Sequence, residues 1–305
     1  MANSKIEWTD ETLQLTTGCT KASAGCANCY AERMHKRLQG MGHADYQQEF
    51  SEVRLHPSNL VKIAKLPAGK RVFVNSMSDL FHEHVPFSFI FIVFKEMAKR
   101  PDVTFQILTK RAERMSEFFE RCKKCGDEFL EGRTDIPKNI WLGVTVEDQQ
   151  RADERIPHHL SVPAAVRFVS IEPMLGPVNL PTCTGRSDCK LNGIDGHSDK
   201  PLGGLNWVIC GGETGPGARP MHPDWVRTLR DQCTEAAVPF FFKGWGEWAP
   251  GSQVPHLSTA YMSKNKWRDY GPEGGEYNTG GFWCNVGKKA AGRTLDGRTW
   301  EEFPV

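Results

Sequence analysis

The sequence predicts an α/β fold: a partial parallel β/α barrel of six or seven units, followed by an irregular C-terminal cap. Three observations lead there. Short runs rich in Val, Ile and Phe recur and are almost continuously apolar, as strands covered on both faces should be. Helix-like stretches separate them, and from the second strand onward the strand starts lie 26 to 40 residues apart, the period of a repeated β-α unit. A polar cluster follows each strand, and in parallel β-α barrels these strand ends share the face where active sites form.

The expected strands are Leu13–Thr17, Arg71–Ser76, Val103–Leu108, Ile140–Val146, Val166–Ile171, Asn206–Cys210 and Val238–Phe242. The expected helices are Cys29–Leu38, Phe89–Lys99, Arg111–Arg121 and Pro223–Ala236. The second stops before Pro101, and Pro223 suits the first turn of the last. His158 and His159 read as a helix end. From Gly244 the chain is rich in Gly and holds Trp245, Trp248, Trp267, Trp283 and Trp300 without helical periodicity. Residues 1–243 are therefore read as the barrel and 244–305 as a cap packed on it.

Composition narrows the function. The chain has 305 residues, with 39% hydrophobic and 25% charged, enough for a sizeable core. The balance of 38 basic against 37 acidic residues gives no global field toward nucleic acid or membrane, although a local patch can still exist. The most apolar window, Val85 to Phe94, falls far short of the ~20 residues that span a bilayer. The start MANSKIEWTD lacks a secretory pattern, and ten cysteines are too few for a disulfide scaffold at this length. The expected location is the cytoplasm, with no membrane partner. Cys210, Cys233 and Cys284 stand alone and read as small buried apolar side chains.

The polar strand ends are GCTKASAGCANCY after the first strand, SMSD (Ser76–Asp79) after the second, TKR (Thr109–Arg111) after the third and TVED (Thr145–Asp148) after the fourth. The fifth gives Glu172, the sixth Gly211, Gly212 and Glu213, and the seventh Lys243. Cys19, Cys26 and Cys29 carry the sharpest chemistry. Three thiols within ~11 residues on a Gly-containing loop can converge on one metal centre, and thiolates suit zinc or an iron–sulfur cluster. Zinc in a structural role wants a fourth ligand, which His35 can supply. A three-cysteine cluster instead leaves one iron open, and unliganded thiols are the third reading. His82 and His84, with Glu83, sit just past Asp79 and read as a solvated loop or substrate contact rather than a metal site.

With IEWTD, GCTKASAGCANCYAERM, VNSMSDLF, ILTKRAERM, SIEPMLG, VICGGETGPGARP and PFFFKGWG in that order, residues 4 to 250 resemble the phage-associated three-Cys-motif branch of the radical S-adenosylmethionine (radical SAM) superfamily. The superfamily's common spacing is C-x3-C-x2-C. Here the first gap is six residues, Asn28 holds the usual aromatic position and Tyr30 follows Cys29. The Ser/Thr-Asp and Thr-Lys strings also resemble those of the spore photoproduct lyase group.

The resemblance implies a 4Fe–4S cluster on Cys19, Cys26 and Cys29, with SAM chelated at the open iron and cleaved to a 5′-deoxyadenosyl radical. It places Ser76, Ser78 and Asp79 at the methionyl amine, Lys110 at its carboxylate, Thr145 near the ribose and Tyr30 among the cofactor contacts. Glu172, Glu213 and Lys243 are the expected catalytic or substrate residues, with Arg219 either an anion contact or an ion pair. The Gly211–Gly212 pair would let backbone approach a ligand. An electron donor protein is implied. Cys122, Cys125, Cys183 and Cys189 form two pairs that can close a structural zinc site, hold a second cluster or remain thiols.

The phage association and the likeness to the lyase group motivate a nucleoside or nucleic-acid base as substrate. Trp245, Trp248 and Trp267, near Lys264, Lys266 and Arg268, can stack a base or simply be core. The competing functions are a non-catalytic zinc-bearing nucleic-acid-binding protein and a radical SAM enzyme acting on a peptide or small metabolite.

Overall fold

The computed structural model describes residues 4, 6–125, 136–183, 201–253, 267–270 and 281–304. Seven strands form the main sheet: β1 (Glu11–Leu13), β2 (Arg71–Val74), β3 (Thr104–Thr109), β4 (Ile140–Thr145), β5 (Val166–Ile171), β6 (Trp207–Gly211) and β7 (Phe240–Gly244). They lie in sequence order across the sheet. The sheet is parallel, with Glu11 opposite Val72, Phe105 opposite Ile140 and Val208 opposite Phe240. Sequential parallel order is the topology of a partial β/α barrel, so the fold class is as expected.

By its contacts the chain divides into two compact units, residues 1–145 with 155–168, and residues 146–154 with 169–305. In the first, helices α1 (Tyr30–Gly40), α2 (Phe87–Ala98) and α3 (Ala112–Cys125) alternate with the strands. Helix α2 buries Phe89, Ile90, Val93, Phe94 and Met97, the i, i+1, i+4, i+5, i+8 spacing of one broad face. Met115, Phe118, Phe119 and Cys122 line the buried face of α3. Phe94 meets Phe118 and Phe119, each at 5.5 Å between ring centres. Trp8 packs on Phe73 at 4.8 Å.

The first strand is shorter than expected and the chain leaves the sheet at Gln14. Gln14 donates its side-chain amide to Ser76 Oγ, and Leu15 N–H donates to Asn75 Oδ1 at 2.6 Å. Thr16–Thr17 then pairs antiparallel with Arg54–Leu55. Helix α4 (Gln149–Leu160) was not expected beyond its His end, because Pro157 and a run of charged residues hide its period. Asp148 Oδ1 accepts from Arg151 N–H and starts it.

His159, in the last turn of α4, is fully buried, and that burial holds its imidazole down at about 3 against an ordinary 6.5, with the Arg167 charge acting in the same direction. The unfolded chain takes up a proton below 6.5 that the folded chain refuses, so folding stability falls as pH drops from there toward 3. The expected loss reaches about 1.4 kcal/mol per pH unit, and His159→Leu removes one proton's worth of that slope, read by urea unfolding between about pH 7 and about pH 5.

The second unit holds β6, β7 and α5 (Pro223–Glu235), whose Pro223 sits in the first turn as expected. Beyond Gly244 the chain is more ordered than an irregular cap. Strands β8 (Trp248–Pro250), β9 (Trp267–Tyr270) and β10 (Gly281–Asn285) form an antiparallel sheet with β10 central. The indole N–H groups are spent internally: Trp245 donates to Thr294 O, Trp248 to Ala218 O and Trp283 to Met221 O. Trp245 and Trp248 are buried, so of the two readings, base stacking or core, they are core. Trp267 is half exposed, Arg268 lies over the Trp248 ring at 5.1 Å, and Lys264 and Lys266 lie outside the described residues. The tail runs antiparallel to β7: Phe242 N–H donates to Trp300 O, and Trp207 Nε1–H donates to Glu302 O. Among the described residues no helix is long and apolar enough to cross a membrane.

Candidate functional site

In the first unit the site begins at Gly18, directly past the short pair at Thr16–Thr17. Gly18 has φ +85°, and a Cβ there would lie 2.2 Å from the Glu52 carbonyl oxygen, so only glycine fits. Gly18 bridges to Ser78 in the β2 loop, and Cys19 N–H donates to Phe50 O at 2.7 Å. Ser78 Oγ bonds both Thr16 Oγ1 and Thr16 O. The cysteine loop is thereby fastened to the end of β2. Cys26 ends a single 3-10 turn, and Cys29 immediately precedes α1.

Asp79 is buried and accepts four hydrogen bonds, which uses its capacity. Oδ1 takes Phe81 N–H and Thr109 Oγ1–H, and Oδ2 takes Lys110 N–H and Arg111 Nη1–H at 3.1 Å. As it stands, the carboxylate anchors the β2 and β3 loops to each other. Arg111, to which the TKR string assigns no role beside Lys110, is the hub. Its Nη1 lies 3.7 Å from Cys19 Sγ, its Nε donates to Glu83 Oε2 at 3.0 Å, and its Nη2 donates to Thr20 Oγ1 at 2.9 Å. Burial works to raise Glu83, yet the hydrogen bond from its own backbone and the Arg111 guanidinium outweigh it and hold the carboxyl at about 2.

His82 is fully buried rather than solvated, because its ring completes this network. Its Nδ1 accepts from His84 N–H, which leaves the ring proton on Nε2 to donate to Thr20 Oγ1 at 2.8 Å. Burial, with the Arg111 charge, pushes it down to about 4. His35 is buried, with its Nε2 bonded to Gln48 O at 2.7 Å and its ring edge-on to Tyr46 and Phe50.

Cys19, Cys26 and Cys29 are free thiols, each partly exposed. Burial pushes the Cys19 thiol up to about 12, helped by Asp79 and opposed by Arg111. A bound cation would reverse that balance and favour the thiolate. Among the described residues no three His, Cys, Asp or Glu side chains are drawn together as a metal would hold them. The donor set nevertheless suits a thiolate-held group: three accessible sulfurs in one loop, with Cys26 near enough to add to the upward push on the Cys19 thiol.

Of the other expected cofactor contacts, Ser76 Oγ accepts from Gln14, and Thr145 is buried with its carbonyl taken by Arg155. Tyr30 is exposed at the start of α1. Of the second cysteine group, Cys122 is buried in α3, while Cys189 and the side chains of Cys125 and Cys183 lie outside the described residues.

In the second unit, Lys243 Nζ lies 2.5 Å from Glu172 Oε1, each side chain about a fifth exposed. Gly211 of β6 sits between them: a Cβ there would lie 3.2 Å from Lys243 Cβ and 3.5 Å from Glu172 Cδ. Glu213 is buried, and Arg219 closes on it through Nε at 2.9 Å and Nη2 at 2.6 Å, so Arg219 is an ion-pair partner. Gly212 approaches its own chain instead of open space, since a Cβ there would lie 2.0 Å from Trp245 O.

A family model, "Protein of unknown function (DUF5131)", matches residues 3–304. The chain belongs to the DUF5131 family. No curated protein matches this DUF5131 member. Among solved structures it is similar to spore photoproduct lyase complexed with dinucleoside spore photoproduct, with 12% identity and a TM-score of 0.42 over 93% of this chain and 70% of that one. A single-substitution variant of the same lyase gives 11% identity and a TM-score of 0.43 over the same shares.

Proposed function

We propose that this DUF5131 protein is a radical SAM enzyme that acts on a nucleoside or nucleic-acid base. Cys19, Cys26 and Cys29 would hold a 4Fe–4S cluster. When bound, that group would supply the one electron that breaks the sulfonium S–C5′ bond of SAM, giving methionine and a 5′-deoxyadenosyl radical. One observation carries the reading: a loop with three accessible thiols is fastened, through Gly18 and Ser78, to the end of a parallel barrel-type strand. That is where such folds place their chemistry.

The chain's own residues supply orientation and charge. Lys110, beside the Asp79 anchor, offers a cation to a carboxylate. Tyr30 offers an exposed aromatic face next to Cys29. Glu172 and Lys243 share a hydrogen bond and can pass a proton between them or to a bound hydroxyl. The reading requires the three sulfurs to draw together on loading.

The test is anaerobic reconstitution with iron and sulfide. A brown protein absorbing near ~400 nm is expected, as thiolate-ligated iron–sulfur centres do. With dithionite and SAM it should release 5′-deoxyadenosine, faster when DNA, RNA or nucleosides are added, and Cys26→Ala should abolish both colour and release. A colourless protein that binds zinc at the same cysteines and ignores SAM would overturn the proposal.

A further inference from the structure

We infer that Arg111 is the positioning residue of the cysteine loop: its guanidinium holds Cys19 in place and sets the electron affinity of the group bound there. The inference rests on the radical SAM reading.

The guanidinium reaches four residues from two loops. Nη1 touches Cys19 Sγ at 3.7 Å and Asp79 Oδ2 at 3.1 Å. Nε bonds Glu83 Oε2 at 3.0 Å, and Nη2 bonds Thr20 O at 3.3 Å and Thr20 Oγ1 at 2.9 Å. These contacts span 92 residues of sequence from Cys19 to Arg111. The planar fork is what makes this possible, since a lysine ammonium cannot serve two carboxylates, a hydroxyl and a sulfur in one fixed plane. Its partners are themselves fixed: Asp79 by Thr109 and two backbone N–H groups, and Thr20 by the buried His82. Swinging Arg111 away would strand Asp79 in a buried site, so the donor aimed at Cys19 Sγ is preorganised.

Hydrogen bonds to sulfur ligands and nearby charge are what set the potential of a thiolate-held cluster. An N–H donor on Cys19 Sγ withdraws electron density and favours the reduced state. Asp79 and Glu83, both paired with Arg111, oppose this through space, but the Arg111 guanidinium is in direct contact with that sulfur.

The experiment compares wild type with Arg111→Lys, Arg111→Gln and Arg111→Met after reconstitution, reading iron per chain and the midpoint potential by dye-mediated titration with EPR detection. The expected result is a midpoint shifted to more negative values, most in Met, less in Gln, least in Lys, with iron content falling in the same order. If Arg111→Met does not fold, the Lys and Gln variants decide. Loaded variants whose midpoint equals wild type, even with less iron, overturn the tuning role and leave the radical SAM reading standing. A wild type that takes up no cluster overturns both.

Discussion

Alanine at position 18 is expected to destabilise the protein by about 2–5 kcal/mol and to abolish iron loading. The cost has two sources. Gly18 holds φ +85°, where an L side chain crowds its own carbonyl by about 1–2 kcal/mol. The new methyl would also lie 2.2 Å from the Glu52 carbonyl oxygen and 3.0 Å from that of Phe50, which are backbone atoms without a rotamer to relieve the contact. Phe50 O is also the acceptor for Cys19 N–H, so any shift moves the first cysteine. Urea unfolding reports the stability, and iron per chain after reconstitution reports the site. An unchanged unfolding midpoint would show that the Glu52 loop yields easily and that Gly18 is not what fixes the cysteine loop.

The second large effect concerns Glu172 and Lys243. Either Glu172→Gln or Lys243→Met leaves a mostly buried charge without its partner, at an expected cost of about 1–3 kcal/mol after allowance for the exposed part of the pair. The double variant should recover much of that, because neither charge is then stranded. Activity should behave differently. If the pair handles a proton, both single variants and the double lose substrate-dependent deoxyadenosine release by about 10²-fold or more. A double variant that recovers turnover along with stability would reduce the pair to a structural role.

Much of the fold was legible because its signals are local. β5 runs Val166–Ile171, the same residues its β-branched and aromatic run marks out. Pro223 fixes the start of α5, and Lys99 before Pro101 ends α2. What escaped depends on distant partners. Nothing near Arg111 announces that Cys19, 92 residues earlier, lies under its guanidinium. Lys243 and Glu172 each stand at a strand end that the sequence marks, but their pairing across Gly211 joins residues 71 apart. Composition leaves the tryptophans of the second unit open between base stacking and core, and it takes the distant backbone carbonyls that accept from the buried Trp245 and Trp248 to decide for core. Strands β8, β9 and β10 escaped because each is at most five residues long and their pairing is non-local.

The antiparallel run of Trp300–Glu302 along β7 has a protective consequence. β7 is the last strand of the sheet, and an uncovered last strand offers a ladder of donors and acceptors to any passing chain. Here Phe242 N–H and Phe240 O are already matched by the molecule's own Trp300 and Glu302. While the rest of the chain is still folding, that built-in stopper guards the last strand against runaway self-association.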